Sequence, residues 1–390
     1  MLITHIRDAF TKIFTSTSPQ TGTLFPLVRY YLQYNPFIEH HQWLSSTPLP
    51  EEIYRNFFSI PPLKALGLDG YHVIFFQKNW HILGSGIIQV IQEIFETTTI
   101  PEDWGATNLI LIPKINRPNM ITQFRPISLC NTLYKLVSRI ILQRLKPYIT
   151  NIINPCQASF VPSRCTSDNI IIVQEIIHTM VRKSRPKGHV ALKLDLEKAY
   201  DHLEWSFIKE TLEFFQIPHK LINLIMNMIS STCINIMWNG TPLSTIIPSR
   251  GIYQGDPISL YLFILCLERL SILQEEAVQD KTIHPVTFRG KIKISHLFFA
   301  DDIFLFLKAK IIECQNLKNI LQIFCKCFGQ IICTQKSRLW FSPNTSRRTK
   351  ELIASIFDIP TTTQLRIYLE TPIFTTHQKA SAYQYIVDNI

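Results

Sequence analysis

The chain is poor in charge: only 17% of its 390 residues are Asp, Glu, Lys or Arg. With 46% hydrophobic residues it can bury a core, so wholesale disorder is excluded. Paired cysteines are missing too. Nine are scattered with no CxxC pair, and Cys325, Cys327 and Cys333 form the nearest group. That spacing suits neither a zinc finger nor a disulfide framework, so reduced thiols filling core space are expected. No internal repeat is visible. The opening MLITHIRDAFTKIF carries charges inside its apolar stretch and does not read as a secretory signal. Residues 221–249 hold no charged side chain, yet they include Asn223, Asn227, Asn235 and Asn239-Gly240. A bilayer core would not tolerate these cheaply, so no membrane span is expected. The better reading is an amphipathic helix followed by a hairpin turning at Asn239-Gly240.

The charge that is present leans one way. Lys and Arg number 39 against 29 Asp and Glu, a net +10. That surplus favours a polyanionic partner, either nucleic acid or an acidic surface. The length suggests two or three domains, or one fold with lobes. Residues 1–50 show no clear period and read as a loosely organised lead-in. Helical stripes run over 81–99, 133–145, 169–180 and 317–328, and another helix is expected to open at Asp256-Pro257. Lys135, Arg139, Arg144 and Lys146 lie off the second stripe, as either a solvated or a phosphate-tracking face. Leu109–Ile112 and Val190–Leu194 read as strands. A helix is expected from about Asp201. Helices mixed with antiparallel hairpins argue for an α+β fold.

Two carboxylate clusters stand against apolar strands. Asp301-Asp302 separates LFFA from IFLFL, and Asp195 closes LKLD. Taken alone, the Asp pair reads first as an exposed hairpin turn, since Asp is a common turn residue. With a second strand-end Asp the set becomes suited to divalent metal: oxygen ligands match Mg²⁺, which binds a few carboxylates together with substrate phosphates. Two such ions would activate a hydroxyl nucleophile and stabilise a leaving pyrophosphate.

FADD, KLDLEKAYDHLEW, GIYQGDPISLYLF and FRPISLCNTLYKLVSRII occur in one chain. Together these blocks resemble the reverse transcriptase domain of non-LTR (LINE-type) retrotransposons, in wording closest to plant elements, from about Lys64 to Pro372. The resemblance implies a right-hand polymerase of fingers, a palm with an antiparallel sheet, and a thumb. It implies an RNA-directed DNA polymerase extending a DNA primer on an RNA template with dNTPs, under two Mg²⁺ ions or Mn²⁺ in their place. By it, Asp195, Asp301 and Asp302 match the catalytic metal-binding carboxylates, with the Leu196 carbonyl as a further ligand. Tyr200 matches the aromatic steric gate under the sugar; otherwise it is a packed tyrosine at a helix start. Gln254 and Gly255 match the turn touching the incoming base pair. Arg125 matches the triphosphate-gripping arginine, with Lys114 a second candidate, because a guanidinium fork binds phosphate bidentately. Lys336 matches a general acid for pyrophosphate, or is a solvated lysine. The surplus charge is then expected on finger helices around Lys114, Arg125, Lys135 and Arg139.

On this reading 51–104 extends the fingers, 105–345 holds fingers and palm, and 346–390 begins a truncated thumb. A fragment is expected, without room for an endonuclease. The family's location implies the nucleus or a cytoplasmic ribonucleoprotein. Some positions depart from the family pattern. Lys64-Ala65-Leu66-Gly67-Leu68-Asp69-Gly70 lacks two prolines, which should loosen the loop. Tyr253 replaces an arginine, Leu260 a proline and Glu370 a glycine. These substitutions make a catalytically decayed, nucleic-acid-binding relic the alternative expectation.

Overall fold

The computed structural model describes residues 2–16, 40–182, 188–288, 292–365 and 367–374. It is an α+β arrangement with two main sheets. The amino-terminal part is helical: α1 (Leu2–Phe14), α2 (His41–Ser45), α3 (Pro50–Phe58), α4 (Val73–Lys78), α5 (Trp80–Thr97) and α6 (Glu102–Gly105). Strands β1 (Ala106–Pro113) and β2 (Phe124–Leu129) then form an antiparallel hairpin. Helices α7 (Thr132–Ile152) and α8 (Thr166–Arg182) lead into β3 (His189–Asp195), and α9 (Trp205–Phe214) and α10 (His219–Ser230) follow. Next come β4 (Cys233–Trp238), β5 (Thr241–Ile246) and the long α11 (Ser259–Gln279). The remainder is β6 (Val286–Phe288), β7 (Ile292–Ile294), β8 (His296–Phe299), β9 (Asp302–Lys308), α12 (Ile311–Phe328), β10 (Arg338–Phe341), α13 (Arg347–Phe357), β11 (Thr361–Thr362), β12 (Ile367–Tyr368) and β13 (Thr371–Pro372).

One sheet has the order β2-β1-β4-β5 and the other β11-β10-β3-β9-β8. Neither is purely antiparallel: β1 runs parallel to β4, and β10 parallel to β11. Hairpin signals in the sequence report only neighbouring strands, whereas β1 and β4 meet after a helical crossover. The β4–β5 hairpin turns at Asn239 and Gly240, both at positive φ, as a type I′ turn requires. In β3, residues 190–192 and Leu194 are buried, with Val190, Leu192 and Leu194 in one core and Ala191 in a second. Burial on both sides places β3 at the centre of its sheet.

Several expectations need correcting. The lead-in is not structureless at its start, because α1 buries Ile6, Phe10 and Phe14 in the main core. The helix expected near Asp201 begins at Trp205, after a run of turns, and α11 begins at Ser259 rather than at Asp256-Pro257. The four basic residues of α7 do not form one solvated or phosphate-tracking face. Arg144, 1% exposed, binds Glu52 through two nitrogens at 2.8 Å and donates to the carbonyls of Leu44 and Ser46. Lys135 is buried and donates to Ala65 O at 2.9 Å, and Arg139 Nε donates to Ser59 Oγ at 2.6 Å. Lys146 stays exposed. The loop lacking two prolines is pinned all the same: Asn131 Oδ1 accepts from Asp69 N–H while its Nδ2 donates to Asp103 O. All nine cysteines are free, and no described helix is long and apolar enough to cross a membrane. The expected helix break at Arg185-Pro186-Lys187, lead-in residues 17–39 and the last part of 346–390 lie outside the described residues.

Candidate active site

The three aspartates meet because β3 and β9 pair in register from His189–Lys308 to Asp195–Asp302. Asp195 and Asp302 are therefore cross-strand partners, a few ångströms apart at the Cα atoms. Asp301 sits in the two-residue turn between Phe299 and Asp302. Its companion Ala300 has φ 51° and donates its N–H to Ser159 Oγ at 2.7 Å. A non-glycine residue there costs about 1 kcal/mol, and the Ser159 bond helps to hold it. Asp195 N–H donates to Ser337 Oγ at 3.1 Å, which fixes the strand end. Leu196 bridges to Ile332, but the bonds of that bridge use the carbonyls of Asp195 and Ile331, so the Leu196 carbonyl takes no part in it.

Cations gather around these acids. Lys193 Nζ lies 3.6 Å from Asp302 Oδ1, and Lys336 Nζ lies 3.7 Å from Asp195 Oδ1. Burial pushes the Asp195 carboxyl up; Lys336 pulls it down, and Asp302 pushes it up again. Asp301 is also raised, first by burial and then by Asp302 and Asp195, while its own backbone hydrogen bond and Arg125 oppose this. Lys114 is lowered by burial and by the neighbouring Lys336 and Arg125, against the pull of Asp201 and Asp195. Lys114 and Arg125 therefore do face the acids. They reach them from a strand end and a strand start, not from finger helices. Among the described residues no group of three or more His, Cys, Asp or Glu side chains converges as a formed metal centre. The donor set fits a hard divalent cation on chemical grounds: the neighbouring carboxylates raise Asp195 and Asp301, and two lysines lie 3.6 and 3.7 Å from the oxygens of Asp302 and Asp195.

Tyr200 lies in the turn after β3, stacked on Phe263 at 4.7 Å and close enough to Asp301 for that charge, after burial, to raise its hydroxyl. It is packed, and it lies near enough to Asp301 to feel its charge. Gln254 O accepts from Ser128 N–H on β2. Gly255 has φ 120°, and a Cβ there would come within 3.0 Å of Ser128 O, so this turn demands glycine. Tyr253, in place of a cation, is buried and donates its hydroxyl to Gly105 O at 3.2 Å.

The motif reading passed over several residues. Asp201 is buried beside Gln254, whose Nε2 donates to Asp201 Oδ1 at 3.3 Å; burial pushes this carboxyl up to about 7, against the pull of Lys198. Arg250 and Glu204 form a buried pair at 3.4 Å, and Arg250 also donates to the Ile13 and Lys12 carbonyls at the end of α1. Asp201 was visible in KLDLEKAYD, but nothing local tells a buried acid from a solvated one. Arg250 meets α1 across most of the chain, which no motif records.

The chain is similar to known proteins over much of its length. The chain is 29% identical over 263 residues to the Transposon TX1 uncharacterized 149 kDa protein of Xenopus laevis, covering 66% of this chain and 19% of that protein. It is 30% identical over 208 residues to a Pol polyprotein from the type-1 retrotransposable element R2 of Popillia japonica, covering 53% of this chain and 28% of that protein. An uncharacterised mitochondrial protein of Arabidopsis thaliana is 46% identical over 65 residues, 16% of this chain and 53% of its own length. The chain thus spans under a third of the two transposon relatives. The profile of the family described as reverse transcriptase (RNA-dependent DNA polymerase) matches residues 112–371. That match takes in Asp195, Asp301, Asp302 and every strand of both main sheets except most of β1, about two thirds of the sequence, and the chain belongs to the reverse transcriptase family.

Proposed function

We propose that this chain is the polymerase region of a retroelement protein, extending a DNA primer on an RNA template. The observation that carries this reading is the pairing of Asp195 with Asp302, Asp301 in the adjoining turn, and Lys114, Arg125 and Lys336 around them. Nucleotidyl transfer asks a protein mainly for positioning and charge neutralisation. Two Mg²⁺ ions, when bound, would activate the primer 3′-hydroxyl and stabilise the leaving pyrophosphate, with Asp195, Asp301 and Asp302 holding them and the Leu196 carbonyl available. Arg125 and Lys114 bind the triphosphate. Lys336, exposed beside Asp195, supplies a proton to the leaving group. Tyr200 closes the space under the sugar, and Gln254-Gly255 form the wall against the nascent base pair. In this scheme the five-stranded sheet is the palm, the β1–β2 hairpin and its helices are the fingers, and the thumb begins after residue 345.

Primer extension on poly(rA)/oligo(dT) with Mg²⁺ tests the reading. Wild-type protein should extend, and the Asp301→Asn, Asp302→Asn double variant should lose at least a thousandfold. Extension no better than the variant's, with RNA binding kept, would overturn it in favour of a binding protein without turnover.

A further inference from the structure

Two backbone segments beside the candidate active site, residues 200–205 and 251–254, are tied along their length. Gly251 N–H donates to Leu203 O at 2.8 Å, and Ile252 N–H donates to Tyr200 O at 3.0 Å. Trp205 Nε1 donates to Gly251 O at 2.7 Å. Gly251 itself has φ 92°, and a Cβ on it would lie 2.7 Å from Asp201 O. The two segments thus run too close for any side chain between them. One side-chain bond crosses at the end nearest the aspartates, from Gln254 Nε2 to Asp201 Oδ1.

From this geometry we infer that Asp201 is a positioning residue that sets the polarity of the Gln254 amide, and through it the selection of the incoming nucleotide. The inference rests on the polymerase reading above. The chemistry follows from donors and acceptors. Above about pH 7, where Asp201 is ionised, the carboxylate only accepts, so it engages the NH₂ end of the amide and leaves Gln254 Oε1 as the end available to a ligand. An amide oxygen facing a nascent base pair accepts from guanine's exocyclic amine or a sugar hydroxyl; it repels the N3 and O2 acceptors that other pairs present on the minor-groove side. Asp201 is only 2% exposed, and among the described residues no protein donor reaches its Oδ2. Lys198 and Lys114 are the charged groups that face it. A buried acid this short of partners is an expensive structural device, and the Gln254 contact gives it a task. Asparagine at 201 presents both a donor and an acceptor, so Gln254 can then take either orientation.

The test is a double-mutant cycle on the full chain, with Asp201→Asn, Gln254→Ala and the two combined. Two quantities are read: the KM and kcat of single-nucleotide extension, and equilibrium binding of a fluorescent dNTP to the protein on a dideoxy-terminated primer–template, which needs no turnover. Expected are a roughly tenfold rise in KM for Asp201→Asn with kcat within threefold, a loss of discrimination against mismatched dNTPs, and no further loss when Asp201→Asn is added to Gln254→Ala. Additive losses in the binding cycle would overturn the inference, since they mean that Asp201 acts on the fold and not through Gln254. Absent extension with a non-additive binding cycle would overturn the polymerase reading alone. No dNTP binding by the wild-type protein would overturn both.

Discussion

Single residues carry more than one constraint in this site. Tyr200 stacks on Phe263 and also lies near Asp301. Removing its ring should leave a fold that still holds the acids but opens the space under the sugar. Tyr200→Ala is therefore expected to incorporate ribonucleotides at least tenfold more readily relative to dNTPs, read by competing rNTP and dNTP extension; unchanged discrimination would remove the gate assignment. Asp256 is a second case. It is buried, it accepts from Ser259 Oγ at 3.4 Å, and burial pushes its carboxyl up to about 7 against the bonds to Ser138 and Ser259. A carboxyl raised on folding contributes stability below its unfolded value near 3.8 and loses it as pH climbs through 7. His202 and His296, pushed down by burial to about 4 and about 3, have the opposite sign and lose stability as pH falls below 6.5. Asp256→Asn removes one falling contribution. Its unfolding free energy should gain on wild type by about 1.4 kcal/mol per pH unit between about pH 4 and 7, measured by urea titration across that range.

Elements were legible where their signals were local. Alternation in LKLD and LFFADDIFLFL marks β3, β8 and β9, and Asn239-Gly240 marks the β4–β5 turn. What covers an element was not legible. The stripe of α7 shows an apolar face but not that Lys135 and Arg144 end against carbonyls and Glu52 from residues far back in the chain. Helix α1 went unread for the same reason, since its partners near Ser249 and Arg250 lie more than 200 residues on. The β12–β13 hairpin shows a departure with a structural cost. Leu369 and Glu370 both have positive φ, 47° and 62°, in a two-residue turn that prefers Asn-Gly. Glu370 does sit where glycine is favoured. Glu370→Gly is expected to stabilise the protein by about 1 kcal/mol, seen as a higher denaturation midpoint at unchanged m-value.

At the scale of the molecule, the +10 surplus is not one continuous surface. Part of it is spent inside: Arg144, Arg250 and Arg269 are nearly fully buried against carboxylates. Lys114 and Arg125, exposed beside the aspartates, are among the charges free to meet a polyanion there. Affinity for an RNA–DNA duplex should therefore fall steeply with salt, and Arg125→Ala should flatten the log–log slope by just under one unit, read by anisotropy of a labelled duplex. An unchanged slope would take Arg125 off the phosphate path.

The parallel contact of β1 with β4 also bears on how the chain comes into being. Ala106 pairs with Cys233, about 127 residues later. A ribosome adding 5–20 residues per second needs on the order of 10 s to deliver that partner. Throughout that interval the uncharged NLILI run of β1 has an open edge, with Ile110 and Ile112 on its surface even in the finished fold. Such an edge pairs readily with other chains. Expression yield is therefore expected to rise with the supply of chaperones that shield this strand until the β4–β5 hairpin emerges.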